Sequence, residues 1–193
     1  MSATRVGLLF GSFNPIHTGH LILAEHFATR TDLAEVWLVV SPHSPFKAVA
    51  DLLPETARLR LVELALTGNP RLRAERIEFD LPRPSYTIAT LDALRQRHPT
   101  HHFVLLMGAD NLPGLPRWQE ADRLLAEVDI YVYPRPGATL PDLVPFPRVQ
   151  VLAAPLLDIS ATYIRESLRT GRSIRYLVPT AVEEALLAPG ASS

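Results

Sequence analysis

Val6-Gly7-Leu8-Leu9-Phe10-Gly11-Ser12-Phe13-Asn14-Pro15-Ile16-His17-Thr18-Gly19-His20 decides the fold of this chain. Its first five residues are an apolar run that ends in Gly-Ser, the pattern of a buried strand feeding a tight turn. Beyond it Leu21, Ala24, Phe27 and Ala28 recur at helical spacing, so a helix is expected to begin between Thr18 and His20. Strand, glycine-bearing turn and helix together make an anion site. Backbone N–H groups point out of the helix start, and glycine lets a phosphate come close. At that mouth stand His17 and His20, whose imidazoles can donate to phosphate oxygens and are expected to carry charge near neutral pH. This is a site for chemistry on a nucleotide phosphate, beyond holding one.

Outward from this stretch, apolar runs alternate with helical patterns, without repeats or a dividing linker. Strands are expected at Val6–Phe10, Val36–Val40, Arg76–Phe79, Phe103–Met107, Ile130–Tyr133 and Val149–Leu152. Helices are expected at Gly19–Thr29, Pro54–Thr67, Thr87–Arg97, Trp118–Ala126, Ala161–Thr170 and Ala181–Leu187. The central strands are apolar nearly throughout, as when helices cover both faces of a parallel sheet. The alternation therefore predicts an α/β fold, a doubly wound, mostly parallel sheet with helices on both faces. Residues 1–193 read as one domain, with the tail after about Leu187 expected to fray. Ligands of such sheets sit beyond the strand C-termini at the switch point, where the distinctive residues of this chain fall.

Composition narrows the partners. The net charge of −1 gives no broad basic field for nucleic acid, so an anionic ligand must be gripped by a local cluster. With no cysteine, disulfides, thiol catalysis and cysteine-ligated zinc are excluded. No apolar stretch approaches membrane-spanning length and the N-terminus does not read as a signal peptide, so a cytoplasmic protein is expected. Oligomeric state is left open. Of the 19 basic residues only Lys47 is lysine, and it falls in Ser41–Lys47, after the second strand. Biased composition alone would scatter a lone lysine anywhere, whereas a compact ammonium on a flexible stem suits a phosphate contact at this place.

Four further segments carry chemistry. In Ile159-Ser160-Ala161-Thr162-Tyr163-Ile164-Arg165, Ser160 is a good N-cap and Thr162 and Arg165 share a helix side, which makes a second anion site or an ordinary capped helix. Met107-Gly108-Ala109-Asp110 ends a strand with a glycine, and Asp110 either binds ribose hydroxyls or caps the next turn. Ser85-Tyr86-Thr87 precedes a helix that Ser85 or Thr87 could cap, and Trp118 is by default a core or helix-start aromatic. His17-x-x-His20 is also half of a zinc site. Zinc needs further ligands, and His101-His102, before a strand and with no carboxylate nearby in sequence, face opposite ways, so no metal residues are assigned.

Gly11–His20 resembles the (T/S)-F-(D/N)-P-x-H-x-G-H motif of the nucleotidylyltransferase superfamily. The remaining segments narrow the resemblance to the bacterial nicotinate-nucleotide adenylyltransferases, and it runs from about Val6 to Leu186. The resemblance implies a Rossmann-like fold and transfer of AMP from ATP to nicotinate mononucleotide, giving the deamido dinucleotide and pyrophosphate. It implies that His17 and His20, with Gly11, Ser12 and Phe13, bind the ATP phosphates, and that the histidines stabilise charge at the α-phosphorus. Ser160, Thr162 and Arg165 match the I-S-S-T-x-I-R motif that holds the β- and γ-phosphates, with Ala161 in place of the second serine. Gly108 and Asp110 match a G-A-D that contacts adenosine. Asn14, Lys47, Ser85, Tyr86, Thr87 and Trp118 fall to nicotinate mononucleotide, the tryptophan stacking on the pyridine ring, and Lys47 and Arg165 join the histidines as catalytic residues. Mg2+ is implied, held mainly through the ATP phosphates.

Overall fold

The apolar run that opens at Val6 is the centre of a parallel sheet. The computed structural model describes residues 3–42, 52–135, 137, 146–155 and 157–188. Strand β1 (Thr4–Gly11) pairs in parallel with β2 (Glu35–Val40) on one side and β4 (His101–Gly108) on the other. With β3 (Leu72–Glu75), β5 (Asp129–Tyr133) and β6 (Val149–Val151), the six-stranded order is β3-β2-β1-β4-β5-β6, every neighbouring pair parallel.

Side chains alternate across this sheet and divide the core in two. Leu9, Val36, Leu38, Val104 and Leu106 join one buried cluster, with helices α1 (Thr18–Arg30), α2 (Glu55–Leu66), α5 (Ala161–Arg169) and α6 (Thr180–Leu187) laid over it. Val6, Leu8, Trp37, Val39, Phe103 and Leu105 face the other way, under α3 (Thr87–Arg97) and α4 (Ala121–Glu127). Continuous apolar strands are required because both faces are dry. Helix α1 turns Leu23, Ala24, Phe27 and Ala28 inward, with Leu21 at the margin of the cluster. The fold is thus doubly wound, and its strand order reverses between β1 and β4. Their ends, Gly11 and Gly108, open the crevice where such sheets bind ligands.

Local structure departs from the expected elements in three places. The strand expected at Arg76–Phe79 lies earlier, at Leu72–Glu75, and Ile77–Asp80 is a 3-10 turn. The Glu75 carboxylate accepts the Ile77 N–H at 2.9 Å, and the Phe79 N–H turns back to the Arg76 carbonyl, which ends the ladder. The helix expected from Trp118 starts at Ala121, because Leu112–Arg117, with Pro113 and Pro116, winds as a 3-10 turn and gives its last bond from the Trp118 N–H to Leu115. His101 and His102 lie inside β4 instead of before it. Across the sheet, His102 Nε2 pairs with Asp129 of β5 at 3.0 Å. No helix among the described residues is long and apolar enough to cross a membrane.

Phe27 measures how much the α1 face contributes. It is fully buried against the rings of Tyr131 and Tyr133, at 6.5 and 6.1 Å. Phe27→Ala is expected to destabilise the domain by about 3–5 kcal/mol, read from urea unfolding. A loss below about 1 kcal/mol would show that α1 is not packed as described.

Candidate active site

Beyond β1 the backbone makes one sharp reversal before α1. A Cβ on Gly11 would lie 2.9 Å from the Phe13 ring, so only glycine lets the strand end against that ring. Phe13 itself is buried and holds φ at +43°, a left-handed conformation that costs a non-glycine residue about 1–3 kcal/mol unless its surroundings enforce it. Two arginines grip the carbonyls on either side of it. Arg58 Nη1, from α2, donates to the Ser12 carbonyl at 2.6 Å, and Arg165 Nη1, from α5, donates to the Asn14 carbonyl at 2.9 Å. Asn14 is buried too, and its Oδ1 accepts the Leu53 N–H at 3.0 Å.

His17 is the N-cap of α1, and its N–H donates to His20 Nδ1 at 3.3 Å. That acceptor role leaves the proton of a neutral His20 on Nε2. The two rings stack with centroids 3.6 Å apart. A Cβ on Gly19 would come within 3.1 Å of His17 Nδ1, so the glycine makes room for the ring. The Thr18 N–H is taken by the Leu177 carbonyl at 2.8 Å, which pins the helix start to the segment after α5.

The expectation that both histidines carry charge near neutral pH fails at His17. Burial, reinforced by the neighbouring Arg135 guanidinium, lowers its pKa to about 4, so the ring is neutral at neutral pH. Its Nδ1 is buried over the helix start, facing the His20 N–H in the capping box without closing a full hydrogen bond.

Gly11, Ser12, Phe13, Asn14, His17 and His20 line a cavity of about 670 Å³, which Asp110, Ser160, Thr162 and Arg165 also reach. At the start of α5, Ser160 Oγ caps the Tyr163 N–H at 3.2 Å, so the capping role and a place at the cavity coexist. Asp110 does not cap the turn after β4; Asn111 takes that position, and Asp110 faces Arg135 Nε at 3.6 Å. Gly108 stands just outside the lining, where a Cβ would collide with Asp110 Oδ1 and press on Arg135. Ser85, Tyr86, Thr87 and Trp118 do not line this cavity. Tyr86 is the N-cap of α3 without a side-chain cap, Ser85 Oγ is buried without a partner, and Trp118 packs against the α3–α4 core. Lys47 lies outside the described residues.

Two site residues escape a motif-based reading. Arg135, after β5, lines the cavity and depresses the His17 pKa; its signal is its place just past a strand C-terminus. Arg58 is 1% exposed and sits three and four residues before the buried Leu61 and Val62. A charge on the apolar stripe of a helix is the available sign of a buried arginine.

The depressed His17 pKa has a measurable consequence. The unfolded chain takes up the proton near pH 6.5 and the folded chain only near 4, so the associated stability is present above 6.5 and lost as pH falls to 4. Across that window the wild type is expected to lose about 3 kcal/mol more than His17→Gln, measured by denaturant unfolding at each pH. Equal slopes would mean that His17 titrates normally.

The sequence matches the cytidylyltransferase-like family over residues 8–167. It is 49% identical over 183 residues to a protein of Cytophaga hutchinsonii named "Probable nicotinate-nucleotide adenylyltransferase", covering 95% of each chain. A Bacteroides fragilis protein of the same name is 48% identical, over 97% of this chain and 93% of its own. In fold, the chain matches the Plasmodium falciparum nicotinic acid mononucleotide adenylyltransferase complexed with NaAD at a TM-score of 0.78 and 17% identity, over 95% of both chains. With a switch-point crevice, two helix mouths facing it and relatives this close over nearly their whole length, the chain belongs to the nicotinate-nucleotide adenylyltransferases of the cytidylyltransferase-like family.

Proposed function

We propose that this protein transfers AMP from ATP to nicotinate mononucleotide, releasing pyrophosphate and forming the deamido dinucleotide of NAD biosynthesis, in the cytoplasm. The observation that carries this reading is the opening of two helix N-termini, each with its own polar side chains, onto one cavity at the β1/β4 switch point. The α1 mouth with His17 and His20 suits the α-phosphate, and the α5 mouth with Ser160, Thr162 and Arg165 suits the β- and γ-phosphates. Asp110 suits the ribose hydroxyls. The names of the relatives favour nicotinate mononucleotide as acceptor.

The acceptor phosphate is already ionised near neutral pH, so no general base is needed. One of its oxygens attacks the α-phosphorus in line, a new P–O–P link forms, and the bond to pyrophosphate breaks with its electrons on the leaving group. The protein positions the two phosphates and offers donors where negative charge grows, the usual division of labour in transfers at phosphorus. His20 Nε2–H and the Gly19 amide serve the α-phosphate, the Thr18 and His20 amides being bonded to the Leu177 and His17 carbonyls. Neutral His17 adds a hydrogen bond without placing a second charge beside Arg135. Lys47 is assigned to a phosphate contact, and Ser85, Tyr86, Thr87 and Trp118 to the pyridine ring and its carboxylate.

Magnesium fits as a companion of the triphosphate. Among the described residues no group of three acids or histidines could hold a metal, and Asp110 is the one carboxylate lining the cavity. Mg2+ commonly keeps several waters and binds through substrate phosphates, so it would be held there by ATP, with Asp110 able to receive one of its waters. Bound in that way it supplies charge neutralisation on the leaving pyrophosphate.

Pyrophosphate release from ATP with nicotinate or nicotinamide mononucleotide tests the reading. The acid is expected to be preferred by at least about tenfold in kcat/KM, because only it offers a charged acceptor. Equal use of the amide would remove the nicotinate assignment. His20→Ala is expected to lower kcat by about 10²–10³ with little change in the KM for ATP. An unchanged kcat in the folded variant would remove His20 from the chemistry.

A further inference from the structure

Arg58 is the most deeply buried cation among the described residues, at 1% exposure, and it stands behind the cavity wall without lining it. Among the described residues its guanidinium makes four hydrogen bonds, all to backbone carbonyls. Nε donates to Leu53 at 3.0 Å, Nη1 to Ser12 at 2.6 Å and to Ser41 at 2.7 Å, and Nη2 to Pro42 at 2.7 Å. None of these acceptors is charged; among the described residues its electrostatic support comes from Glu55, one turn earlier on α2 and itself paired with Arg83 at 2.8 Å. A cation taken out of water without a carboxylate partner is a poor device for stability alone, because its desolvation is large.

What the guanidinium does achieve is geometry. Its donors lie in one rigid plane, and that plane joins three separate pieces of backbone: the turn after β1, the end of β2 and the entry to α2. The joint is tightened twice more. The Ser41 N–H donates to the Gly11 carbonyl at 2.9 Å, and the Leu53 N–H donates to Asn14 Oδ1 at 3.0 Å. Phe13, with its left-handed φ, stands between Ser12, held by Arg58, and Asn14, held by Arg165.

We infer that Arg58 is a positioning residue for adenylyl transfer, fixing the Ser12–Asn14 turn so that the α1 mouth is aimed at the α-phosphate. It acts through backbone carbonyls and meets neither substrate. A lysine keeps the charge but has a single nitrogen, so it cannot span the same three segments. The inference rests on the adenylyl-transfer reading, and its test includes a readout that does not.

Arg58→Lys is compared with the wild type and with Leu61→Ala, a core truncation on the same helix at a residue 6% exposed. Each is assayed well below its own melting temperature. Arg58→Lys is expected to lower kcat by at least about tenfold with both KM values within about threefold, since misplacing a catalytic framework acts chiefly on the transition state. Leu61→Ala is expected to melt earlier and keep its kcat within about twofold. Hydrogen–deuterium exchange of the ligand-free proteins should show faster exchange confined to the peptide over Ser12–Asn14 in Arg58→Lys and not in Leu61→Ala. If the wild type released no pyrophosphate, the functional reading would fail while the exchange experiment still judged Arg58. Wild-type kcat in Arg58→Lys, or exchange at Ser12–Asn14 no faster than in Leu61→Ala, would overturn the inference. Arg58→Gln serves as the second variant if Arg58→Lys does not fold, and failure of both to fold would assign Arg58 to stability alone.

Discussion

Between β1 and α1 the chain reverses at a residue, Phe13, that would not adopt its φ of +43° unaided. Hydrogen bonds from charged guanidiniums to the carbonyls of Ser12 and Asn14 hold that reversal from opposite sides. Charge-assisted bonds of this kind are roughly twice as strong as neutral ones, enough to offset strain of about 1–3 kcal/mol. Because one arginine comes from α2 and the other from α5, the turn cannot take its shape until both helices have docked on the sheet. Local backbone geometry at the cavity is therefore a product of tertiary packing, and the direction of α1 is inherited from it.

The electrostatics of the cavity follow from the same burial. The chain as a whole is nearly neutral, at −1, so attraction for a triphosphate arises locally, from helix mouths and from Arg135 and Arg165. Adding a buried imidazolium to these would repel the guanidiniums in the free protein, and burial with Arg135 keeps His17 neutral.

The sheet and its two-sided covering were legible in the sequence because apolar runs of strand length alternate with helical periodicity. The lining of the cavity was legible in outline because His17, His20, Asp110, Ser160, Thr162 and Arg165 each follow a strand end or open a helix, and the winding of the sheet brings those ends together. Reading failed where side chains bond to backbone. Ile77 and Phe79 alternate as a strand would, but the Glu75 carboxylate captures the Ile77 N–H and ends the pairing early. Trp118 looked like a helix start because the 3-10 turn of Leu112–Arg117 has no periodic signature of its own. Arg58 drew no reading because composition cannot distinguish a charge facing water from one facing carbonyls, and the neutrality of His17 comes from burial in the folded chain, reinforced by Arg135, more than a hundred residues away in sequence.

A crystal structure of the protein with α,β-methylene-ATP, whose α–β link cannot be cleaved in this transfer, tests the central claim most directly. The account predicts the α-phosphate within hydrogen-bond distance of His20 Nε2 and the Gly19 amide, with the β- and γ-phosphates at Ser160, Thr162 and Arg165 and the ribose at Asp110. A triphosphate running the other way through the cavity, or bound away from the β1/β4 crevice, would contradict it.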